Sequence, residues 1–302
     1  MTEILKPADA AQVAETLAWA AGEEVPLEII GSGTKRGFGR PMGEGNRVVG
    51  HMLDLSALSG ITLYEPEELV LTAMAGTPVA EIEAAVAEKN QLLAFEPPEL
   101  SKLYGGQGGT LGGLVSANLA GPRRIKAGAA RDHVLGIDGV SGRGEAFKAG
   151  GRVVKNVTGY DLCKIVSGAF GTLAALTEIT IKVLPAPEET RTLVLSGLDD
   201  ATAQRAMAAA IASSHEVSGA AHLPDGLQGA STTLLRLEGF GPSVDARATA
   251  LRALLAEYGG IDEIDREPDE PARPVVERAH RHLGSNRRNH RRPLRGRHRE
   301  PP

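Results

Sequence analysis

The sequence predicts an α+β protein built as two folded parts and a polar tail. Helical and strand-like apolar periodicities are interspersed from the amino terminus to about Ile264. Two glycine turns, Gly31-Ser32-Gly33-Thr34-Lys35 and Gly108-Gly109-Thr110-Leu111-Gly112-Gly113, interrupt that pattern in the first part. The run Pro185-Ala186-Pro187 then breaks the chain, because proline supplies no backbone donor to a strand or helix. The expected boundaries are 1–187, 188–266 and 267–302.

Residues 7–22 read as an amphipathic helix with Ala8, Val13, Leu17 and Ala21 on one side. Residues 27–30 form a strand entering the first turn, and 47–55 alternate as another. Strands at 61–64 and 69–75 flank the turn Glu65-Pro66-Glu67-Glu68. Gly76-Thr77-Pro78 opens a helix to about Asn90, with Thr77 as its expected N-cap and Pro78 its first residue. A short helix at 114–120 follows the second turn, then a strand at 133–140, a hairpin turn at 141–145 and a returning strand from Ala146. Residues 173–184 alternate as a long half-buried strand. Beyond the proline break come a strand at 193–195, a helix at 201–213, a strand at 233–237 and a helix at 244–258, an α+β unit that reads as half of a larger domain.

Hydrophobic residues make up 42% of the 302, enough for soluble cores. A single cysteine, Cys163, excludes an intrachain disulfide and points to a reducing compartment. No apolar run approaches the ~20 residues that span a bilayer, and the start lacks a signal-peptide pattern, so a cytoplasmic protein is expected. The net charge of −5 hides an asymmetry: from Arg273 onward there are ten arginines, two glutamates and four of the eight histidines. That tail cannot bury a core and is expected to be disordered. It has no aromatic residue for base stacking, so nucleic acid is not an expected partner. Its composition also fits out-of-frame translation replacing an ordinary carboxy terminus.

Glycines strip Cβ atoms from a turn and let an anion approach the backbone N–H groups, here with a helix starting just behind. Two such turns in one part suggest a dinucleotide held from both sides, the alternative being plain tight turns. A Gly-x-Gly-x-x-Gly fingerprint fails because Arg36 stands at its sixth position. A Walker A loop fails because Thr34 separates Gly33 from Lys35. No His-x-x-x-His or Cys-x-x-Cys spacing argues for a metal.

Further runs extend the pattern: residues 121–132, Gly-Pro-Arg-Arg-Ile-Lys-Ala-Gly-Ala-Ala-Arg-Asp, residues 151–162, Gly-Arg-Val-Val-Lys-Asn-Val-Thr-Gly-Tyr-Asp-Leu, and Phe170-Gly171-Thr172-Leu173. With both glycine turns, this ordered set resembles the FAD-binding domain of the vanillyl-alcohol oxidase and p-cresol methylhydroxylase (PCMH) type, and within it the FAD-binding subunits of bacterial glycolate oxidases. The resemblance covers about residues 5–187. It implies two α+β subdomains with FAD between them, followed by a cap domain.

Residue roles follow from that resemblance. Gly31, Ser32, Gly33, Thr34 and Lys35 match the first pyrophosphate loop, with Lys35 adding charge or serving only as a solvated loop residue. Gly109, Thr110, Gly112 and Gly113 match the second. Arg131 and Asp132 fall where the family's chain passes the cofactor, and Thr158, Gly159, Tyr160 and Asp161 approach the flavin edge. Tyr160 could instead be a core aromatic, and Asp161 could cap the helix starting near Leu162. Arg123, Arg124 and Lys126 read as a solvated basic face or an anion contact. Cys163 reads as a packed apolar residue.

The first loop holds no histidine, so non-covalent FAD is expected. His215 and His222 stand apart in a polar stretch and read as surface residues, and no catalytic residue is assigned. The resemblance implies an FAD-dependent oxidoreductase acting on a small 2-hydroxy acid: the FAD-binding subunit of a glycolate oxidase complex that converts glycolate to glyoxylate. Its implied partners are a larger FAD-binding subunit and an iron–sulfur subunit, with any membrane reached only through them. The alternatives are a non-catalytic flavin-binding or structural subunit, a nucleotide-binding regulatory module, and a truncated product without function.

Overall fold

The computed structural model describes residues 3–38, 49–100, 108–152, 159–225 and 230–265. The chain divides between Ala186 and Pro187 into two compact units. The expected tail, 267–302, lies outside the described residues, as does Thr158.

The first unit opens with β1 (Glu3–Leu5), α1 (Ala10–Gly22), β2 (Leu27–Ile30) and β3 (His51–Asp54). The strands form a parallel sheet in the order β1-β3-β2. Asp9 caps α1 by accepting the Gln12 N–H at 2.9 Å. The helix buries Val13, Leu17 and Ala20, spaced i, i+4, i+7, so its inward stripe runs through Ala20 and leaves Ala8 and Ala21 exposed. Val13 and Leu17 pack with Leu53, Leu55 and Leu58. On β3, His51 Nε2 lies 3.2 Å from the Glu3 carboxylate, and Trp19 stands edge-on to the imidazole at 5.5 Å between ring centroids.

The second layer contains β4 (Ile61–Glu65), β5 (Val70–Met74), α2 (Val79–Ala87), β6 (Gln91–Leu92), α3 (Leu111–Ala117), α4 (Arg124–Ala127), α5 (Ala130–His133), β7 (Val134–Ser141), β8 (Ala146–Gly150), α6 (Leu162–Val166), β9 (Ala174–Lys182) and β10 (Leu184–Pro185). Five strands make an antiparallel sheet in the order β4-β5-β9-β7-β8. Leu71, Ala73, Ile137, Ile179 and Ile181 form its apolar face, packed with Ile82 and Val86 of α2 and Leu111, Leu114 and Val115 of α3. Each fully buried aliphatic side chain contributes about 1.5–3 kcal/mol. The other face is polar, with the Thr72 and Thr180 hydroxyls 2.9 Å apart and Thr62 donating to Glu178 at 2.9 Å.

Thr77 does not cap α2. Pro78 occupies the N-cap position without a side-chain hydrogen bond. The Thr77 hydroxyl is fully buried and turns back to Met74 O (2.7 Å), while accepting the Gly60 N–H (2.9 Å). Closing the β4–β5 layer outweighs the local capping preference.

The second unit is a βαββαβ arrangement: β11 (Glu189–Ser196), α7 (Asp200–Ala212), β12 (Gly219–Leu223), β13 (Thr232–Gly239), α8 (Gly241–Leu254) and β14 (Ile261–Asp265). The antiparallel sheet runs β12-β13-β11-β14. Leu193, Leu195, Leu235 and Leu237 pack with Ala206 and Ala210 of α7 and Val244, Ala248 and Leu251 of α8. Thr192, Val194, Leu234 and Arg236, on the opposite face by alternation, are buried as well. The Arg191 guanidinium ties β11 to Asp245 of α8 and, at 2.8 Å, to Glu263 of β14. His222 is not a surface residue: its ring lies between the Thr233 hydroxyl (2.9 Å) and Asp200 (3.3 Å), with a side-chain exposure of 10%.

Candidate functional site

The first glycine turn leaves the end of β2. Gly33 holds φ +73°, a left-handed conformation that costs other residues about 1 kcal/mol. Gly31 is needed for a different reason: a Cβ there would sit 2.5 Å from the Thr110 hydroxyl of the second turn. Arg36 folds back on β2 and grips the Glu28 carboxylate with two hydrogen bonds, 2.7 and 2.9 Å. Lys35 donates to the Thr34 hydroxyl at 3.3 Å. Burial holds the Lys35 ammonium below the usual lysine range, and Glu99 pulls it back upward.

The second turn is stitched to the loop between β5 and α2. Val79 N donates to Gly109 O (2.9 Å), Leu111 N to Thr77 O (2.9 Å) and Gly112 N to Ala75 O (2.7 Å). Thr110 caps α3, its hydroxyl accepting Gly113 N at 3.3 Å. This corrects the expectation that the amides at the start of the following helix face an anion. The N–H groups of Leu111, Gly112 and Gly113 already serve the protein.

Both turns border one cavity of about 490 Å³, within the usual range for small-molecule sites. Gly31, Ser32, Gly33, Thr34 and Lys35 line it together with Thr110, Gly112 and Gly113. Its apolar walls come from Leu27, Ile29, Leu55, Ala174 and Leu176, with Phe170 at 52% exposure. A cationic, hydroxyl-rich end beside an apolar hall suits a ligand with a charged part and a planar apolar part. Phe170 carried a sequence signal in the Phe170-Gly171-Thr172 run, whereas the Glu28–Arg36 clamp carried none.

The other expected residues do not line this cavity. Gly109 lies just behind its wall, where a Cβ would come 2.7 Å from Lys35 Nζ. Arg131 and Asp132 sit on α5. Arg131 N donates to Asn118 Oδ1 at 3.0 Å, at the end of α3, and its carbonyl accepts from Lys164. Burial pushes the Asp132 carboxyl up, but the Ala129 N–H and Lys164 more than offset this and hold it below its ordinary value. Gly159 takes φ +92°. Tyr160 is 90% exposed, so it is not a core aromatic. Asp161 caps α6 by accepting Lys164 N at 3.2 Å.

Arg123 departs from a solvated face: it is buried, and its N–H donates to Glu96 at 2.8 Å. Cys163 is packed, with its thiol pushed up by burial. Among the described residues no group of three or more His, Cys, Asp or Glu could hold a metal, and no helix is long and apolar enough to cross a membrane.

Comparison with known proteins agrees with this geometry. Residues 2–150 match the FAD binding domain family. Glycolate oxidase subunit GlcE of Escherichia coli is 44% identical over 174 residues, 58% of this chain and 47% of that protein. Glycolate oxidase subunit GlcD of Bacillus subtilis is 31% identical over 191 residues, 63% of this chain and 38% of its own length. The chain thus spans half or less of the curated relatives it matches. The structure of p-cresol methylhydroxylase superposes with a TM-score of 0.70 at 16% identity, over 91% of this chain and 60% of that one, which establishes the fold. The chain therefore carries a member of the FAD binding domain family, with the PCMH-type fold and FAD as its cofactor.

Proposed function

We propose that this chain is the FAD-bearing subunit of a glycolate oxidase (glycolate dehydrogenase), an oxidoreductase for small 2-hydroxy acids. The observation that carries the reading is the single cavity bordered by both glycine turns, charged at Lys35 and apolar along β2 and β9. The names of the two relatives, both glycolate oxidase subunits, support the substrate class. Gly31, Ser32, Gly33, Thr34 and Lys35 hold the diphosphate side, and Thr110, Gly112 and Gly113, backed by Gly109, set the opposite wall. Arg131, which donates to Asn118 Oδ1 at the end of α3, and Asp132, Thr158, Gly159, Tyr160 and Asp161 are assigned to the cofactor's surroundings on the family resemblance alone.

Bound FAD supplies a two-electron acceptor. The chain's own contribution is to fix that group and exclude water along Leu27, Ile29 and Leu176. The cofactor is held without a covalent bond, as the first turn has no histidine to tether it. A larger FAD-binding subunit and an iron–sulfur subunit complete the complex. It works in the cytoplasm and reaches a membrane only through those partners.

A second reading is favoured by one observation. Among the described residues, the ionisable groups lining the cavity are Glu28, Lys35 and Arg36, and Glu28 is gripped by Arg36. None of them is placed as a base for a hydroxyl proton, which favours a flavin-bearing subunit without substrate oxidation of its own. Titrating the full chain with FAD, then assaying glycolate with a dye acceptor alone and with the larger subunit, separates the readings. Binding with activity only in the complex is expected. A chain that refuses FAD refutes both, and activity of the lone chain refutes the second. Acid precipitation is expected to leave the yellow colour in the supernatant.

A further inference from the structure

We propose that His133 is an acid-sensitive latch: the neutral ring ties α4 to α5, and its protonation releases residues 121–133 from the core. The latch works with or without a bound cofactor.

The last carbonyls of a helix have no partner further along it. At the end of α4 the Ala127 carbonyl lies 2.9 Å from His133 Nε2. A carbonyl only accepts, so Nε2 carries the proton and Nδ1 is bare in the neutral ring. This bond spans the turn at Gly128, where φ is +88°, and closes α4 onto α5. In turn α5 is joined to α3, because the Arg131 N–H donates to Asn118 Oδ1 at 3.0 Å. Gly112, Gly113, Ser116 and Ala117 of α3 line the cavity, so the latch stands behind one of its walls.

The surroundings of the ring favour its neutral form. His133 is fully buried, with the Phe95 ring at 5.2 Å between centroids and Nδ1 without a hydrogen bond. Two charged side chains face it. Lys182 of β9 opposes an imidazolium, and Asp132 of α5 favours one. The Asp132 carboxylate is already engaged by the Ala129 N–H at 2.9 Å and by Lys164 of α6 at 3.5 Å. Glu96, next to Phe95, accepts the Arg123 N–H at 2.8 Å. Helix α3 carries no ionisable residue, and Arg124 and Lys126 of α4 are exposed. Burial is the largest influence and holds the imidazole below the ordinary histidine range, against the pull of the Ala127 and Lys182 backbones.

The sign of the effect follows. In the opened segment His133 protonates near the ordinary value of about 6.5, whereas the closed segment takes up the proton only at lower pH. Closure is therefore fully favoured above about pH 6.5 and is weakened by up to tenfold for each pH unit below it. The loss levels off once the closed ring is itself protonated.

The test follows amide hydrogen exchange of residues 121–133 in the full chain between about pH 7.5 and 5, corrected for the intrinsic rate at each pH. Opening of this segment should rise by up to about tenfold per pH unit below about 6.5 in the wild type. His133→Gln keeps an N–H donor and cannot titrate, so the rise should vanish. His222→Gln, in the second unit, should leave it unchanged. No rise in the wild type, or an equal rise in His133→Gln, would overturn the proposal. A second measurement needs no variant. In NMR titration of the wild type, the His133 ring should show the neutral Nε2–H form and protonate only below the ordinary value of about 6.5. A ring that protonates at or above that value overturns the proposal, because the two backbone contacts would then have outweighed burial.

Discussion

In the first glycine turn, Gly31 yields space to the Thr110 hydroxyl, and Arg36 pins the turn to β2 through Glu28. In the second, Gly112 presses on Ala75, and the backbone from Gly109 to Gly112 bonds to the loop ahead of α2. The second turn is thus part of the core, anchored by main-chain bonds that a Cβ at Gly112 would disturb. The first is a surface loop held by side-chain contacts. The same residue type answers a packing demand in one place and a docking demand in the other.

Three substitutions probe that contrast. Gly112→Ala should be the most damaging, because its Cβ would lie 2.9 Å from both the Cβ and the carbonyl oxygen of Ala75. A loss of about 1–3 kcal/mol is expected in chemical denaturation. An unchanged midpoint would show the second turn to be as pliable as the first. Gly31→Ala comes next, at about 1–2 kcal/mol, because its Cβ would strike Thr110 at 2.5 Å. Adding Thr110→Ala should recover most of the clash, although removing this cap alone costs about 1 kcal/mol. Equal losses in both backgrounds would mean that the turns do not interlock. Arg36→Ala should be mildest, about 0.5 kcal/mol, since the Arg36 side chain is 54% exposed and its ion pair is screened. A loss as large as that of Gly112→Ala would erase the distinction between core turn and surface turn.

The sheets were legible where alternation is strong. On β9, Ile179 and Ile181 face the core while Glu178 and Thr180 face away, and that two-residue period is written in the sequence. Strand β12 was not legible, because Gly219, Ala220 and Ala221 are small residues without alternation. The glycine turns were visible as turns, but their mutual fit was not. Gly31 and Thr110 are distant in sequence, and no local pattern encodes their approach. Thr77 misled for a related reason: its sequence neighbours favour a cap, whereas its spatial neighbour Gly60 claims the hydroxyl. Tyr160 carries no periodicity from which its exposure could be read.

The chain contains one tryptophan. Trp19 stands edge-on to His51 on β3, in the same small sheet whose β2 launches the first turn. Indole emission from a single position is therefore an intrinsic optical gauge of that sheet. Because flavins absorb in the near ultraviolet and blue, energy transfer from the indole would register cofactor uptake in real time without any added dye.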